Sequence, residues 1–337
     1  MRHRKVDQGR RAFVFSALLA MTPFGAAANA ASGNFNAFPV TISHNFGKTI
    51  IGAPPQRIVT LGWGGEDALI ALGTIPVGMP RYEQFANGIL PWVDEKLGAT
   101  KPMLLSQSEI DFEAIALLKP DAILAVRTNI DGKDWRRLNA IAPTIAYRSG
   151  PLQANWQEIT LLAGECVGKP ELARALVEQT KSRLHALYAD HSVLMNRSFV
   201  FGSYFQGRSA LGVYFPDDLR VATLMELGLQ VPSEVVKLAA EHPGQIGTSV
   251  SFEQLDSIET DLLIVWFPPG AKEDAEGQPL FRSYAPVVGG GFVALDDPVS
   301  IWVTSNPSVL SIPYGYPDFV SRLAAAASKV STKESMP

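Results

Sequence analysis

The chain has 337 residues, 47% of them hydrophobic and 18% charged, with a formal net charge of −4. That length exceeds what one hydrophobic core usually holds, so two lobes are expected. No basic block follows the first few residues, which removes the electrostatic footprint of a nucleic-acid binder.

Residues 1–30 open on a basic leader, run apolar from Ala12 to Phe24 and close on Ala28-Asn29-Ala30. This is the pattern of an export signal cut after about Ala30, and the apolar run is too short for a retained membrane anchor. Arg10-Arg11 ahead of Ala12-Phe13-Val14 resembles a twin-arginine signal, with an ordinary secretory signal as the alternative. The sole cysteine, Cys166, cannot form an internal disulfide and lies too far from the cleavage site to carry a lipid. Its apolar-spaced surroundings, ITLLAGECVG, place it in a core.

Residues 39–51 alternate around an Asn-Phe-Gly turn and read as a hairpin. QRIVTLGW is a short buried strand, GGEDALIALG a helix stopped by Gly73, and IPVGMP another strand. Residues 80–108 read as irregular. DFEAIALL is then a helix, AILAV a strand, 132–141 a helix and APTIAY a strand. Such alternation predicts a mostly parallel sheet with helices on both faces. Residues 169–190 carry helical apolar spacing behind Pro170, a rod of about 20 residues and roughly 30 Å.

The second half repeats the order. RSFVFGSY is a strand, LRVATLMELGL a helix stopped by Gly228, SFEQLDSIE a helix and LLIVWF a strand. A helix around 279–287, the strand FVALD and a helix from Pro317 to about Ala327 complete it. At an offset of 140, Phe112, Glu113 and Asp121 fall on Phe252, Glu253 and Asp261, and Arg57 falls on Arg197. Leu72-Gly73 falls on Leu227-Gly228 only at an offset of 155. The halves read as two copies of one α/β lobe with different loop lengths. The lobes are expected at 38–168 and 193–328, with the connecting helix at 169–192.

Signatures of hydrolases, β-lactamases and zinc proteases are absent from the sequence. LGWGGED is glycine-rich but matches neither the dinucleotide nor the phosphate-loop pattern. Gly62, Gly64 and Gly65 instead suit a tight turn that lets something approach closely. Past residue 30 the histidines are His44, His185, His191 and His242, and they form no set that would ligate a bare metal ion.

An export signal followed by PQRIVTLGWGGEDALIALGTIPVGM, IDFEAIALLKPDAIL, LNAIAPTIAY, a long helix, SFEQLDSIETDLLIVW and SVLSIPYGYPDFVSRLA resembles the periplasmic substrate-binding proteins of ABC importers for iron–siderophores and cobalamin. The likeness covers residues 38–327 and is strongest to the ferric-siderophore branch. It implies two Rossmann-like lobes joined by one long helix, a class III periplasmic binding protein. It implies a monomer without cofactor or catalysis, which captures a ferric siderophore in the cleft and hands it to an inner-membrane permease. Cobalamin or haem is the alternative ligand, and a periplasmic enzyme the alternative of another class.

In open α/β sheets ligands sit beyond the carboxyl ends of the strands. Rings with a polar edge and guanidinium forks suit bulky, oxygen-rich chelates. Those positions hold Trp63, Arg127, Tyr204, Arg208, Trp266 and Trp302, joined by Arg81, Tyr82 and Trp92 from the loop after IPVGMP. Trp266 and Phe205 also suit a core, and Arg81 and Arg208 a solvated loop. Hydroxamate binders of the family place an arginine near where Gln107 stands, which counts against hydroxamate as the chelating group. Family resemblance also assigns Glu113 and Glu253, one per lobe, to docking on the permease. The plainer reading is two helix starts, capped by Asp111 and Ser251 with an acid in the first turn.

Overall fold

The computed structural model describes residues 38–334; the expected export signal lies outside them. Strands β1 (Val40–His44) and β2 (Gly47–Ile51) pair antiparallel as the hairpin predicted at 39–51. Their alternation turns Ile42 and Ile51 into the core. His44 is spent internally, its Nε2 paired with Thr49 Oγ1 at 2.9 Å.

The first lobe holds β3 (Ile58–Gly62), α1 (Gly65–Ala71), β4 (Gly78–Pro80), α2 (Pro91–Leu97), β5 (Met103–Leu105), α3 (Phe112–Leu117), β6 (Ala122–Arg127), α4 (Gly132–Ile141), β7 (Thr144–Ala146) and α5 (Trp156–Cys166). Its five strands form a parallel sheet in the order β5-β4-β3-β6-β7. Every residue of β6 is buried, as expected of a strand covered on both faces. The segment 80–108, read from sequence as irregular, contains α2 and β5. Three-residue β5 is too short to show a period, and Pro91 opens α2 where a missing N–H costs nothing.

The rod is α6 (Pro170–Ala189). The second lobe then runs β8 (Phe199–Ser203), β9 (Ala210–Tyr214), α7 (Leu219–Leu227), α8 (Ser233–Glu241), β10 (Gly247–Ser251), α9 (Phe252–Leu255), β11 (Leu262–Trp266), α10 (Ala271–Gly277), α11 (Pro279–Ser283), α12 (Ala285–Gly289), β12 (Phe292–Leu295), α13 (Pro298–Ser305) and α14 (Ser311–Glu334). The strand order is β10-β9-β8-β11-β12, with β8, β11 and β12 parallel and β9 antiparallel to both neighbours. The second lobe is therefore not a plain copy of the first. β9 and its turn are inserted between the matching strand and helix, which accounts for the offset moving from 140 to 155. Past α7, where the first lobe has β4, the second lobe keeps one parallel bridge between Ser198 and Gln230. The last helix starts at Ser311, six residues ahead of Pro317, which it accommodates in its interior.

The repeated aspartate has a structural reason. Asp121 accepts from the backbone N–H groups of Gln56 and Arg57 at 2.7 and 2.8 Å, fastening the start of β3. Asp261 accepts from Ser198 N–H at 2.8 Å and from Arg197 Nη1 at 2.8 Å, fastening the start of β8. One residue thus performs the same task at the same edge of each central strand.

The lobes meet through more than the rod. α6 packs on α5 of the first lobe and on α7 and α14 of the second. A single apolar cluster runs from Met79, Leu90 and Val93 through Val177 and Leu184 of α6 to Phe199, Leu224 and Leu323. Gln157 of α5 donates to Glu226 of α7 at 2.6 Å. Each fully buried large side chain in such a cluster contributes about 1.5–3 kcal/mol of transfer free energy. Opening the lobes widely would expose this cluster.

Candidate functional site

The carboxyl ends of β3, β5 and β6 open onto a cavity of about 710 Å³ lined by Gly62, Trp63, Gln107, Phe112, Arg127 and Thr128 among others. Gly62 is needed here. Its φ is +79°, and a Cβ would collide with the Arg127 carbonyl. The close approach lets Trp63 N–H donate to that carbonyl at 3.2 Å and sets the Arg127 guanidinium 5.6 Å from the Trp63 ring centre. The glycine-rich turn therefore serves a close approach, as the sequence suggested.

Arg127 is only 4% exposed. Its Nη1 donates to the Ala154 carbonyl at 3.1 Å, while its buried Nε has no protein partner. Burial lowers its pKa to about 10; Asp218 of the second lobe opposes that fall and Arg220 adds to it.

A cluster on the second lobe was not foreseen. Asp218 caps α7 and holds Arg220 in a two-pronged ion pair, Nε to Oδ1 and Nη2 to Oδ2, both at 2.7 Å. The Arg220 guanidinium lies 3.6 Å from the Tyr214 ring centre, and Tyr214 OH accepts from Trp266 Nε1 at 3.1 Å. Phe205, half exposed, sets its edge against Trp266 at 5.3 Å. Sequence reasoning looked only past strand ends. Arg220 sits in the first turn of a helix, where the helix dipole disfavours a cation, and that misfit was the available signal.

Of the nine side chains expected at the ligand, the structure brings Trp63 and Arg127 together on the first lobe and sets Trp266 on the second. Trp302 of α13 reaches the first lobe, edge-on to Trp63 at 5.4 Å and to Tyr82 at 4.8 Å. Arg81 pairs with Glu83 at 2.9 Å, and its carbonyl accepts from Gln107 Nε2 at 2.5 Å. Gln107 Oε1 in turn accepts from Trp63 Nε1 at 2.5 Å. Arg208 is exposed in the β8–β9 turn.

The other three are corrections. Tyr82, Trp92 and Tyr204 lie inside, at most 2% exposed, with their polar ends committed. Tyr82 OH donates to Glu66 at 2.5 Å, Trp92 Nε1 to Asp67 at 2.8 Å, and Tyr204 OH to Asp274 at 2.5 Å. Each has an apolar body and one donor, so each serves equally well as a core residue once an acceptor stands beside it.

Both matching glutamates are exposed at the first turn of α3 and α9. α3 follows β5, and its first residues line the cavity rim. α9 follows β10, which runs parallel to β8, and Phe252 N–H bonds Ser209 O in the turn that carries Phe205 and Arg208. Both helices thus start at the cleft edge of their sheets. Asp111 caps α3 through its side chain, accepting from Ala114 N–H at 2.9 Å. Ser251 makes no such side-chain cap; its hydroxyl turns to Gln254 Oε1 at 3.2 Å.

Cys166 is buried, and burial pushes its thiol up to about 12, so it is a core residue. Among the described residues no group of three or more His, Cys, Asp and Glu side chains converges on a common point. Also among them, no helix is long and apolar enough to cross a membrane.

Two α/β lobes joined by a helical rod, with an aromatic and cationic cleft at the carboxyl edges of both sheets, define a two-lobed binding protein. The chain belongs to the periplasmic binding protein family, whose model matches residues 58–283. It is 28% identical over 279 residues to the probable siderophore-binding lipoprotein YfiY of Bacillus subtilis, covering 79% of this chain and 82% of that protein. It is 30% identical over 233 residues to the Fe(3+) dicitrate-binding periplasmic protein FecB of Escherichia coli, covering 68% and 72% respectively. Among solved structures it resembles PiaA of Streptococcus pneumoniae in complex with ferrichrome, with a TM-score of 0.78 and 26% identity over 86% of this chain and 99% of that one.

Proposed function

We propose that this protein is the substrate-binding component of an ABC importer, which captures a ferric siderophore outside the cytoplasmic membrane and delivers it to the permease. The observation that carries the reading is the pair of aromatic and cationic clusters: Trp63 and Arg127 line the cavity of the first lobe, and Arg220, Tyr214 and Trp266 are in contact on the second. Rings supply flat apolar contact to a bulky chelate, and guanidinium groups supply donors to its oxygens. Names of the relatives support iron as the cargo. The protein acts as a monomer and without catalysis, and its iron arrives already wrapped. Exposed Glu113 and Glu253 supply one anionic anchor per lobe, and charge pairs of this kind fix register on a two-subunit permease.

Equilibrium dialysis tests this with radiolabelled iron supplied as ferric siderophores or as a simple salt, and with cobalamin, haem and zinc in parallel. Retention of at least one ferric siderophore and of none of the others is expected. Retention of cobalamin, haem or free zinc, with no ferric siderophore held, overturns the reading.

A further inference from the structure

The turn between β8 and β9 is held in place by something other than burial. Phe205, Gln206, Gly207, Arg208 and Ser209 are five successive exposed residues. Fixing such a segment costs conformational entropy, and exposed residues do not recover it by packing. Gly207 has a φ of +77°, and a Cβ there would meet nothing within 4 Å. The glycine is therefore required by the backbone conformation and not by a close approach. One carboxylate oxygen gathers this turn. Asp274 Oδ2, on α10, accepts from Gly207 N–H at 2.7 Å and from Tyr204 OH at 2.5 Å. Those two donors hold the Asp274 carboxyl below its usual pKa, and hydrogen bonds to an ionised acceptor are the stronger kind. The Tyr204 ring is buried, stacked on Phe252 at 5.7 Å and tilted against Phe267 at 6.2 Å, so its hydroxyl is a fixed post. At the far end of the turn, Phe252 N–H donates to the Ser209 carbonyl at 3.0 Å. What this framework carries is Phe205, half exposed past the carboxyl end of β8 and edge-on to Trp266 at 5.3 Å.

We propose that Asp274 is a positioning residue for ligand capture: by fastening residues 204–209 it holds Phe205 beside Trp266, so that the two rings present one preformed apolar corner to the ligand. This deepens the function proposed above and rests on it. Asp274 stands behind the turn and acts through Phe205. A ring already held in its binding position loses less freedom when a ligand arrives, so the gain appears as affinity. Folding depends on it little. Without Asp274, Tyr204 OH still has the Arg208 carbonyl at 2.9 Å, and Gly207 N–H lies in an exposed turn where water can accept from it.

Calorimetric titration of the purified protein decides it, with ferric citrate, a ferric tris-catecholate, ferrichrome and ferrioxamine B as probes. The variants are measured on whichever probe the wild type holds tightest. Phe205→Ala and Asp274→Ala are each expected to weaken it by about tenfold, with melting temperatures close to that of the wild type. Asp274→Asn is expected to bind as the wild type does, because one oxygen receives both donors and the amide supplies one. The combination Phe205→Ala/Asp274→Ala is expected to bind no more weakly than Phe205→Ala alone, since the two act as a unit. An aspartate that served only the fold would instead weaken binding by the same factor in both backgrounds. Independent losses of that kind, or full affinity in folded Asp274→Ala, overturn the inference and leave a siderophore receptor in place. If Asp274→Ala does not fold, Phe205→Ala decides alone, and unchanged affinity there overturns the inference. Binding of no probe by the wild type removes this inference and the function it rests on together.

Discussion

Ser308, in the turn between α13 and α14 of the second lobe, donates its hydroxyl to Asp67 of α1 in the first. The same carboxylate oxygen accepts from Trp92 Nε1 at 2.8 Å, and Asp67, Trp92 and Ser308 are all buried. The lobes are therefore tied behind the cleft by a buried polar contact as well as by the rod. Ser308→Ala leaves Asp67 with one donor fewer in a buried site. A loss of about 1–3 kcal/mol in unfolding free energy is expected by chemical denaturation. An unchanged midpoint would mean that the tie contributes nothing.

Asp67 sits beside Glu66, and both are buried. Burial first, then the neighbouring carboxylate, raises Glu66 to about 8; burial raises Asp67 to about 7, against the donors Ser308 and Trp92 that lower it. Acids raised above their unfolded values hold protons that the unfolded chain has released. Their stabilising effect is complete below about pH 4 and is lost as pH rises through 7 to 8. The melting temperature should accordingly fall between pH 5 and pH 8. Glu66→Gln retains an acceptor for Tyr82 OH and cannot ionise, so its melting temperature should depend less on pH. An equal slope in wild type and variant would show that the pair does not set it.

Asp261 behaves in the opposite sense. Burial raises its pKa, but Ser198 N–H and Oγ–H and the Arg197 guanidinium outweigh that and hold it below the usual value. Its contribution is present above the ordinary aspartate pKa of 3.8 and is lost as pH falls below it. Asp261→Asn should therefore destabilise the protein at pH 7 and shrink the loss of stability on acidification. An Asn variant as acid-labile as wild type would contradict this.

The rod and the shared apolar cluster together predict little closure. Solution scattering with and without a ferric chelate should show a change in radius of gyration below about 1 Å, the scale of side-chain adjustment. A decrease of several ångströms would require the cluster through Met79, Leu184 and Leu323 to open.

Much of this architecture was legible because it rests on repeated local chemistry. The aspartates at 121 and 261 announced a common strand start, and the apolar runs behind them announced buried parallel strands. β9 was missed because an inserted antiparallel strand leaves no mark on the repeat beyond a changed offset. α13 and the junction behind it were missed for a different reason. Tyr82, Trp92 and Trp302 follow strand ends, where rings suit a ligand, and nothing local reveals that Glu66, Asp67 and Ser308 supply partners from elsewhere in the chain. Arg220 was passed over because only the segments past strand ends were searched, although a cation in the first turn of a helix is a misfit with its dipole.

The proposed docking role predicts that uptake can be lost without loss of ligand binding. Glu113 and Glu253 are solvated and outside the cavity lining, so the double variant Glu113→Ala/Glu253→Ala should bind ligand as wild type does and fail in uptake by whole cells. Arg at either position should be worse. Normal uptake by the double variant, or loss of ligand binding along with uptake, would leave the two glutamates as helix-start residues only.

The central claim is that a ferric chelate sits between Trp63 and Trp266. Intrinsic tryptophan emission measures this directly, because a ferric complex quenches the rings nearest to it most strongly. The chain has six tryptophans, and Trp92 and Trp156 are buried away from solvent. Saturable quenching is expected in the wild type, with most of its amplitude lost in the Trp63→Phe/Trp266→Phe/Trp302→Phe variant, since Trp302 packs edge-on against Trp63. Full quenching amplitude in that variant, or no quenching by any ferric chelate, would contradict the account.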